Sequence, residues 1–414
     1  MADTARETSL RETSPRESSP RETWITGIGI LSCLGEGQEV HWRRLNEPPP
    51  LPEMQAYAPY MVHTVAPVEL DKQIPKKGDQ RQMEAWQRIG TYAAGLALDS
   101  AGAKGKAELL ARMDMIVAAG GGERDEAVDS AILSGMPKAA NPEAFLNEHL
   151  MSDLRPTLFL AQLSNLLAGN ISIVHGVTGS SRTFMGEEQS GVDAVRIAHA
   201  RIQAGQSDIA LVGGAHNGER HDLLMLYGFG GHVLKDSFAP VWARAARGGG
   251  MVIASLGAFL VLEAREHAIA RGAKPLARLS AVLSDRSNRQ GDATKTTLTH
   301  MWSTLAPQLS SGHTAVFSGA SGAEPATSVE RAFFATVPEV PVRATGTYVG
   351  HAFEPQFVLN IALATLALGH QKLFAPGDSS GVEREMAGSV EQIVVTSVGH
   401  WRGEGMALVD AVRL

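Results

Sequence analysis

The run IVHGVTGSSRTFMGEEQSGVDAVRIAHARIQAGQSDIALVGGA, residues 173–215, decides how the rest of the chain is read. Small residues at Gly176 and Gly179 mark a tight turn. From Val192 to Ala204 the apolar residues recur at helical spacing, and DIALVGGA (208–215) follows at once as a strand ending in small residues. The same alternation extends in both directions. WITGIGILSCLGEG, beginning at Trp24, reads as a strand running into a glycine-rich turn, Arg81–Ala103 as a helix, and MDMIVAAGGG (113–122) as a strand. Leu158–Ala168 reads as a buried helix. Beyond the run come strand GAFLVLEA, helix Arg265–Arg271, strand TAVFSGA, a helix around Ser328–Ala335, the apolar helix Phe357–Leu368, and strands QIVVTSV and GMALVDAV. Strands alternating with helices predict an α/β protein with layered sheets.

The two stretches share a cadence and divide near residue 263. This predicts an N-terminal half over 24–262 and a C-terminal half over 263–414. The first 23 residues repeat RETSL, RETSP, RESSP, RET without an apolar run, and read as a disordered tail rather than a signal or anchor. The chain has 414 residues, 44% hydrophobic and 20% charged, with 37 Lys plus Arg against 44 Asp plus Glu. A net charge of −7 argues against nucleic acid as the partner. The one cysteine, Cys33, excludes an intrachain disulfide and a cysteine-built metal centre. The longest apolar stretch, Met251–Leu262, is too short to span a bilayer, so the expectation is a cytoplasmic protein with no integral membrane segment.

Three short motifs lack the context their chemistry needs. Gly27-Ile-Gly29 follows a strand, but Ser32 stands where a dinucleotide fingerprint needs its third glycine. GDSSG (377–381) has the spelling of a nucleophile elbow yet lies in a Pro- and Gly-rich loop, not between strand and helix. His216 and His221 flank Glu219 without the i, i+4 spacing of a helical metal site.

The 173–215 run resembles the nucleophile region of β-ketoacyl synthases, the thiolase-fold condensing enzymes of fatty acid and polyketide synthesis. Ser190-Gly191, the helix, Gly205 and Gly213-Gly214-Ala215 keep that family's spacing, as do Gly176 and Gly179. TGIGILSCLGEG, RQMEAWQRIGTYAAGLALDSAG, GAFLVLE and Gly350-His351 extend the likeness over most of the chain. The resemblance implies two duplicated α/β halves in a layered αβαβα core, and no cofactor. In the family, a cysteine at a helix N-terminus takes an acyl group from acyl carrier protein. Two histidines then stabilise the enolate formed as malonyl thioester loses carbon dioxide.

The chain departs from that pattern where the chemistry lies. Its register puts Glu188 at the cysteine position, or Gln189 on a slip of one residue. Gly319 or a neighbour stands at the first histidine and Gly346 near the lysine, while His351 remains as the second histidine. GHWRGEG, with His400 and Trp401, replaces the family's glycine-rich C-terminal turn. Phe184, Met185 and Phe229 are candidates to line a blocked acyl pocket. An acylated Glu188 would be an anhydride, higher in energy than the thioester that supplied it, so a covalent role is disfavoured. Its place at a helix start instead lets it accept the free N–H groups there. The resemblance thus implies a subunit inactive alone, like a chain length factor, forming a heterodimer with a cysteine-bearing ketosynthase and meeting acyl carrier protein. Lys235, Arg244 and Arg247 are candidates for a basic docking patch. The alternative is an autonomous malonyl-thioester decarboxylase or atypical condensing enzyme using Glu188 and His351.

Overall fold

The computed structural model describes residues 20–155, 158 and 162–412. Most of the repeat tail, residues 1–19, lies outside the described residues, as does part of the predicted helix 158–168. The tail ends earlier than the sequence suggests. Arg21 already bonds through its backbone to Gln203 and through its guanidinium to Asp208, and the first strand opens at Thr23 rather than Trp24.

The strands are β1 (Thr23–Ser32), β2 (Gly35–Glu36), β3 (Val62–His63), β4 (Asp114–Ala119), β5 (Ser181–Phe184), β6 (Ile209–His216), β7 (Ile253–Ala254), β8 (Leu256–Ala264), β9 (Ala277–Asp285), β10 (Thr314–Ser318), β11 (Val342–Ala344), β12 (Gln392–Val398) and β13 (Glu404–Asp410). Their main sheet runs β5-β4-β6-β8-β1 and continues β9-β13-β12-β10-β11. The two five-strand halves have matching order and sense. In each, three parallel strands are followed by two antiparallel ones, and the halves meet where β1 pairs antiparallel with β9. The division expected at residue 263 falls inside β8, which continues to Ala264 because Ala264 still pairs with Thr23 of β1.

Helices complete five layers. Helices Ala85–Ser100 and Leu166–His175 cover one outer face, and Ala293–Leu305 and Ala326–Phe334 the other. Between the half-sheets lie Glu188–Gln203 and Gln356–Gly369, packed against strands of both halves and each other. The second, QFVLNIALATLALG, is apolar on every side because every side is buried, and only the terminal Gly369 escapes the core. This is the layered αβαβα architecture. Among the described residues no helix is long and apolar enough to cross a membrane.

Two predicted helices change. Arg81–Ala103 divides into Lys77–Gln82 and Ala85–Ser100, because Glu84 and Gln87 form a reciprocal capping box that starts a new helix. In the region read as helix 158–168, the described segment turns at 164–165 and then runs as Leu166–His175, ending at left-handed Gly176. The exposed Leu163 lies outside the buried helix the pattern implied.

Candidate active site

Glu187 has φ 57° and ψ −138°, a conformation side chains seldom adopt, and it redirects the chain so that Glu188 opens the central helix. Gly191, one turn on, lets this helix approach the 350–355 turn, since a Cβ there would lie 2.3 Å from the Glu354 carbonyl oxygen. Glu188 is thereby buried between residues from two distant segments. His351 Nε2–H donates to its Oε1 over 2.9 Å, and His400 donates to the same oxygen from Nδ1 at 2.9 Å and from its backbone N–H at 3.3 Å. All three residues are buried.

The electrostatics follow from that crowding. Burial alone would raise the Glu188 carboxyl, but hydrogen bonds from His351 and His400 and the charge of those rings hold it well below the usual carboxylate range. His400 responds in the opposite sense. Burial lowers it, yet the bond and charge of Glu188, with Glu187's charge added, leave it raised. Glu187 is itself raised by burial and by the neighbouring carboxylates, against the opposing pull of His400. Tyr227 O–H donates to Glu187 Oε1 at 2.9 Å, and His400 Nε2 stands 3.8 Å from that oxygen without a hydrogen-bond partner. Arg289 fixes the far wall by donating to the Gly399 and Gly403 carbonyls, and pairs with Glu404 at 3.2 Å. Glu187, Glu188 and His400 also form a group close enough to hold a metal ion. Proton-mediated pairing already accounts for the Glu188 and His400 Nδ1 contacts.

The remaining sequence candidates separate. Gly319 directly follows β10 with no room for a side chain, because a Cβ would lie 2.7 Å from the Thr396 carbonyl oxygen. Met185 is 64% exposed and lines a cavity beside Glu187, but Phe184 packs against the main core and Phe229 is 88% exposed, so neither of those two joins Met185 in lining that cavity. His400 belongs to the Glu188 cluster rather than adding loose bulk, whereas Trp401 is 54% exposed and edge-on to His232 at 4.7 Å. Glu188 was expected to accept its own helix's N–H groups; its described bonds go instead to the two histidines. Arg244 cannot join a docking patch, for it is fully buried and donates to the carbonyls of Ala239, Gly250 and Ser321, while Lys235 and Arg247 are exposed. The set-aside histidines have separate partners, His216 on Glu354 at 3.2 Å and His221 on Glu126 at 2.9 Å, while Glu219 accepts the Val65 N–H. Burial pushes the Cys33 thiol up to about 12, far from a reactive thiolate.

The model of the beta-ketoacyl synthase N-terminal domain matches residues 12–268. The chain belongs to this family. Among curated ketosynthases, it is 27% identical over 269 residues to 3-oxoacyl-[acyl-carrier-protein] synthase 2 of Vibrio harveyi, covering 62% of this chain and 60% of that protein. The corresponding Vibrio cholerae protein is 26% identical over 264 residues, covering 60% and 59%. The matched segment therefore spans about three fifths of each relative's length. The fold agrees with solved structures over 95% of this chain and 100% of theirs. These include the ishigamide ketosynthase/chain length factor, with a TM-score of 0.75 and 18% identity, and a beta-ketoacyl synthase from Burkholderia phymatum, with 0.73 and 18%. A type II polyketide synthase acyl-carrier protein in complex with its ketosynthase also matches, with a TM-score of 0.71 and 17% identity.

Within this ketosynthase fold, sequence reading missed Glu187, Tyr227, Glu354 and Arg289. Glu187 adjoins the predicted Glu188, so its strained turn was within reach of a closer reading of Gly186-Glu187. The others lie in segments without a motif, and folding alone brings them together.

Proposed function

We propose that this chain is a non-catalytic, chain-length-factor-like subunit that pairs with a cysteine-bearing ketosynthase during acyl-chain elongation on acyl carrier protein. The observation that carries this reading is the occupancy of Glu188 Oε1 by His351 and His400. A nucleophile site must present a deprotonated thiol to a thioester; here a depressed, buried carboxylate is a poor nucleophile and a poor base. His351 Nε2, the one retained family histidine's donor, is committed to Glu188 and thus withheld from an enolate oxygen. An autonomous decarboxylase using Glu188 and His351 would have to break this cluster first.

A partner surface supports the reading. Helices Glu126–Gly135, Pro142–Ser152 and His221–Phe229 expose Leu133, Leu150, Met151, Met225, Leu226 and Phe229. Leu133, Leu150 and Met225 line one groove, and exposed apolar side chains of this kind favour association with another protein. One structural relative is itself described as a ketosynthase/chain length factor.

The test is carbon dioxide release and chain extension from malonyl acyl carrier protein, with the chain alone and then with a cysteine-bearing ketosynthase. Silence alone and condensation only in the pair support the proposal. Carbon dioxide release by the chain alone, abolished in Glu188→Ala, overturns it in favour of the decarboxylase.

A further inference from the structure

His400 stands between two carboxylates. Its Nδ1 and its backbone N–H both serve Glu188 Oε1, at 2.9 and 3.3 Å. On the far side of the ring, Nε2 faces Glu187 Oε1 across 3.8 Å and has no hydrogen-bond partner. The His400 side chain is wholly buried, so bulk water does not make up the loss.

That gap is too long for a hydrogen bond, which closes at about 2.7–3.2 Å. With a proton on Nε2 the donor goes unused; without one, two acceptors face each other. A metal ion resolves both cases. Bonds from zinc to an imidazole nitrogen and to a carboxylate oxygen are each about 2.0–2.2 Å. End to end they slightly exceed the gap, so one ion fits between the two atoms at a wide angle. Glu187 Oε1 accepts the Tyr227 O–H at 2.9 Å and has a second lone pair for the ion.

Glu188 supplies the support such a site needs. A metal-bound histidine usually gives its other ring N–H to a carboxylate, which fixes the tautomer and strengthens the ligand. Glu188 Oε1 already accepts that N–H from His400. One donor atom from each of Glu187, Glu188 and His400 lies within 4.8 Å of the others. The way in is past Glu187, whose side chain is 26% exposed and lines a cavity of about 240 Å³.

We propose that Glu187 Oε1 and His400 Nε2 hold a divalent metal ion of the zinc class, with Glu188 behind His400 and water completing the coordination. The ion staples the turn before the central helix to the C-terminal turn. An imidazole ligand suits zinc, whereas magnesium asks for oxygen ligands and keeps its waters. The inference goes beyond the proposed function and is independent of it, since neither carbon dioxide release nor its absence bears on the ion.

The experiment is calorimetric titration of the full chain, first stripped of metal with a chelator, with zinc chloride and with magnesium chloride. Zinc should bind one site at least about tenfold more tightly than magnesium. His400→Asn keeps a donor for Glu188 but removes Nε2, and Glu187→Gln removes the carboxylate. Each should weaken zinc more than Glu188→Gln does, the outer change costing about tenfold. His221→Asn, at the exposed His221–Glu126 pair, should leave the site unchanged and reports any adventitious ion. Melting curves without zinc verify that each variant is folded, and zinc should raise the melting temperature of the parent but not of the two ligand variants. Glu187→Gln, on a part-exposed side chain, carries the test should His400→Asn not fold. Absence of zinc binding to the parent overturns the proposal. Binding that magnesium matches, or that survives undiminished in the folded ligand variants, marks an adventitious ion only and also overturns it.

Discussion

Glu188, buried at the start of the central helix, serves cohesion between distant segments. Its one oxygen joins the central helix to His351 and to the C-terminal turn at His400. Glu188→Ala should lower stability by about 3–5 kcal/mol, the usual consequence of leaving buried charged partners unpaired, and denaturant unfolding would measure it. Glu188→Gln should lose less, since an amide oxygen still accepts one histidine N–H. The pair also sets a pH profile. Glu188 is depressed, so its contribution is present above the unfolded carboxylate value of about 4.3 and is lost as pH falls through its lower folded value. His400 is raised, so its contribution is complete below about 6.5 and is lost as pH rises through its higher folded value. Melting temperature should therefore be highest in the mildly acidic window between these limits, and Glu188→Gln should flatten both flanks. An unchanged profile in the variant would show that the ion pair contributes nothing.

At the scale of elements, close approaches hold the site in place. Gly191→Ala should cost about 1–3 kcal/mol by forcing the Glu188 helix away from the Glu354 carbonyl, measured as a lower unfolding midpoint. A second buried acid ties three elements of the other half. Glu330 in helix Ala326–Phe334 accepts hydroxyl bonds from Ser318 of β10 and Thr396 of β12, and its other oxygen has no partner. Burial raises this carboxyl to about 7 despite those two bonds. Because the folded value exceeds the unfolded one, stability is complete below about pH 4.5 and falls as pH rises through about 7. The shift corresponds to about 3 kcal/mol. Glu330→Gln should thus gain on the parent progressively between pH 5 and 8, as a widening difference in melting temperature; a constant difference would refute the assignment. The fully buried long strands and the apolar helices were legible because buried strands read as continuous apolar runs and the Gln356 helix is apolar throughout, whereas nine-residue β9, only partly buried, went unread. Short β5 and β11 were not, since SRTF and VRA have no periodicity of their own and become strands only by pairing with β4 and β10.

For the whole molecule, two half-sheets of matching strand order enclose one pair of central helices, which places the Glu188 cluster where the halves meet. The face carrying Leu226 and Phe229 lies outside that core. Leu226→Glu with Phe229→Glu should leave the melting temperature of the isolated chain within about 1 °C, because neither side chain is buried, yet weaken association with a ketosynthase. Analytical ultracentrifugation of the mixture checks this, and undiminished association would move the interface elsewhere. The amino-acid sequence by itself determined the class of fold and the family likeness and singled out Glu188, because those depend on local patterns and spacing. Only the tertiary structure decided that His351 and His400, respectively 163 and 212 residues away, close on one Glu188 oxygen, and that Trp86, Tyr227 and Glu354 share a cavity. Contacts across such separations arise from sheet order and layer packing, and no spacing along the chain encodes them.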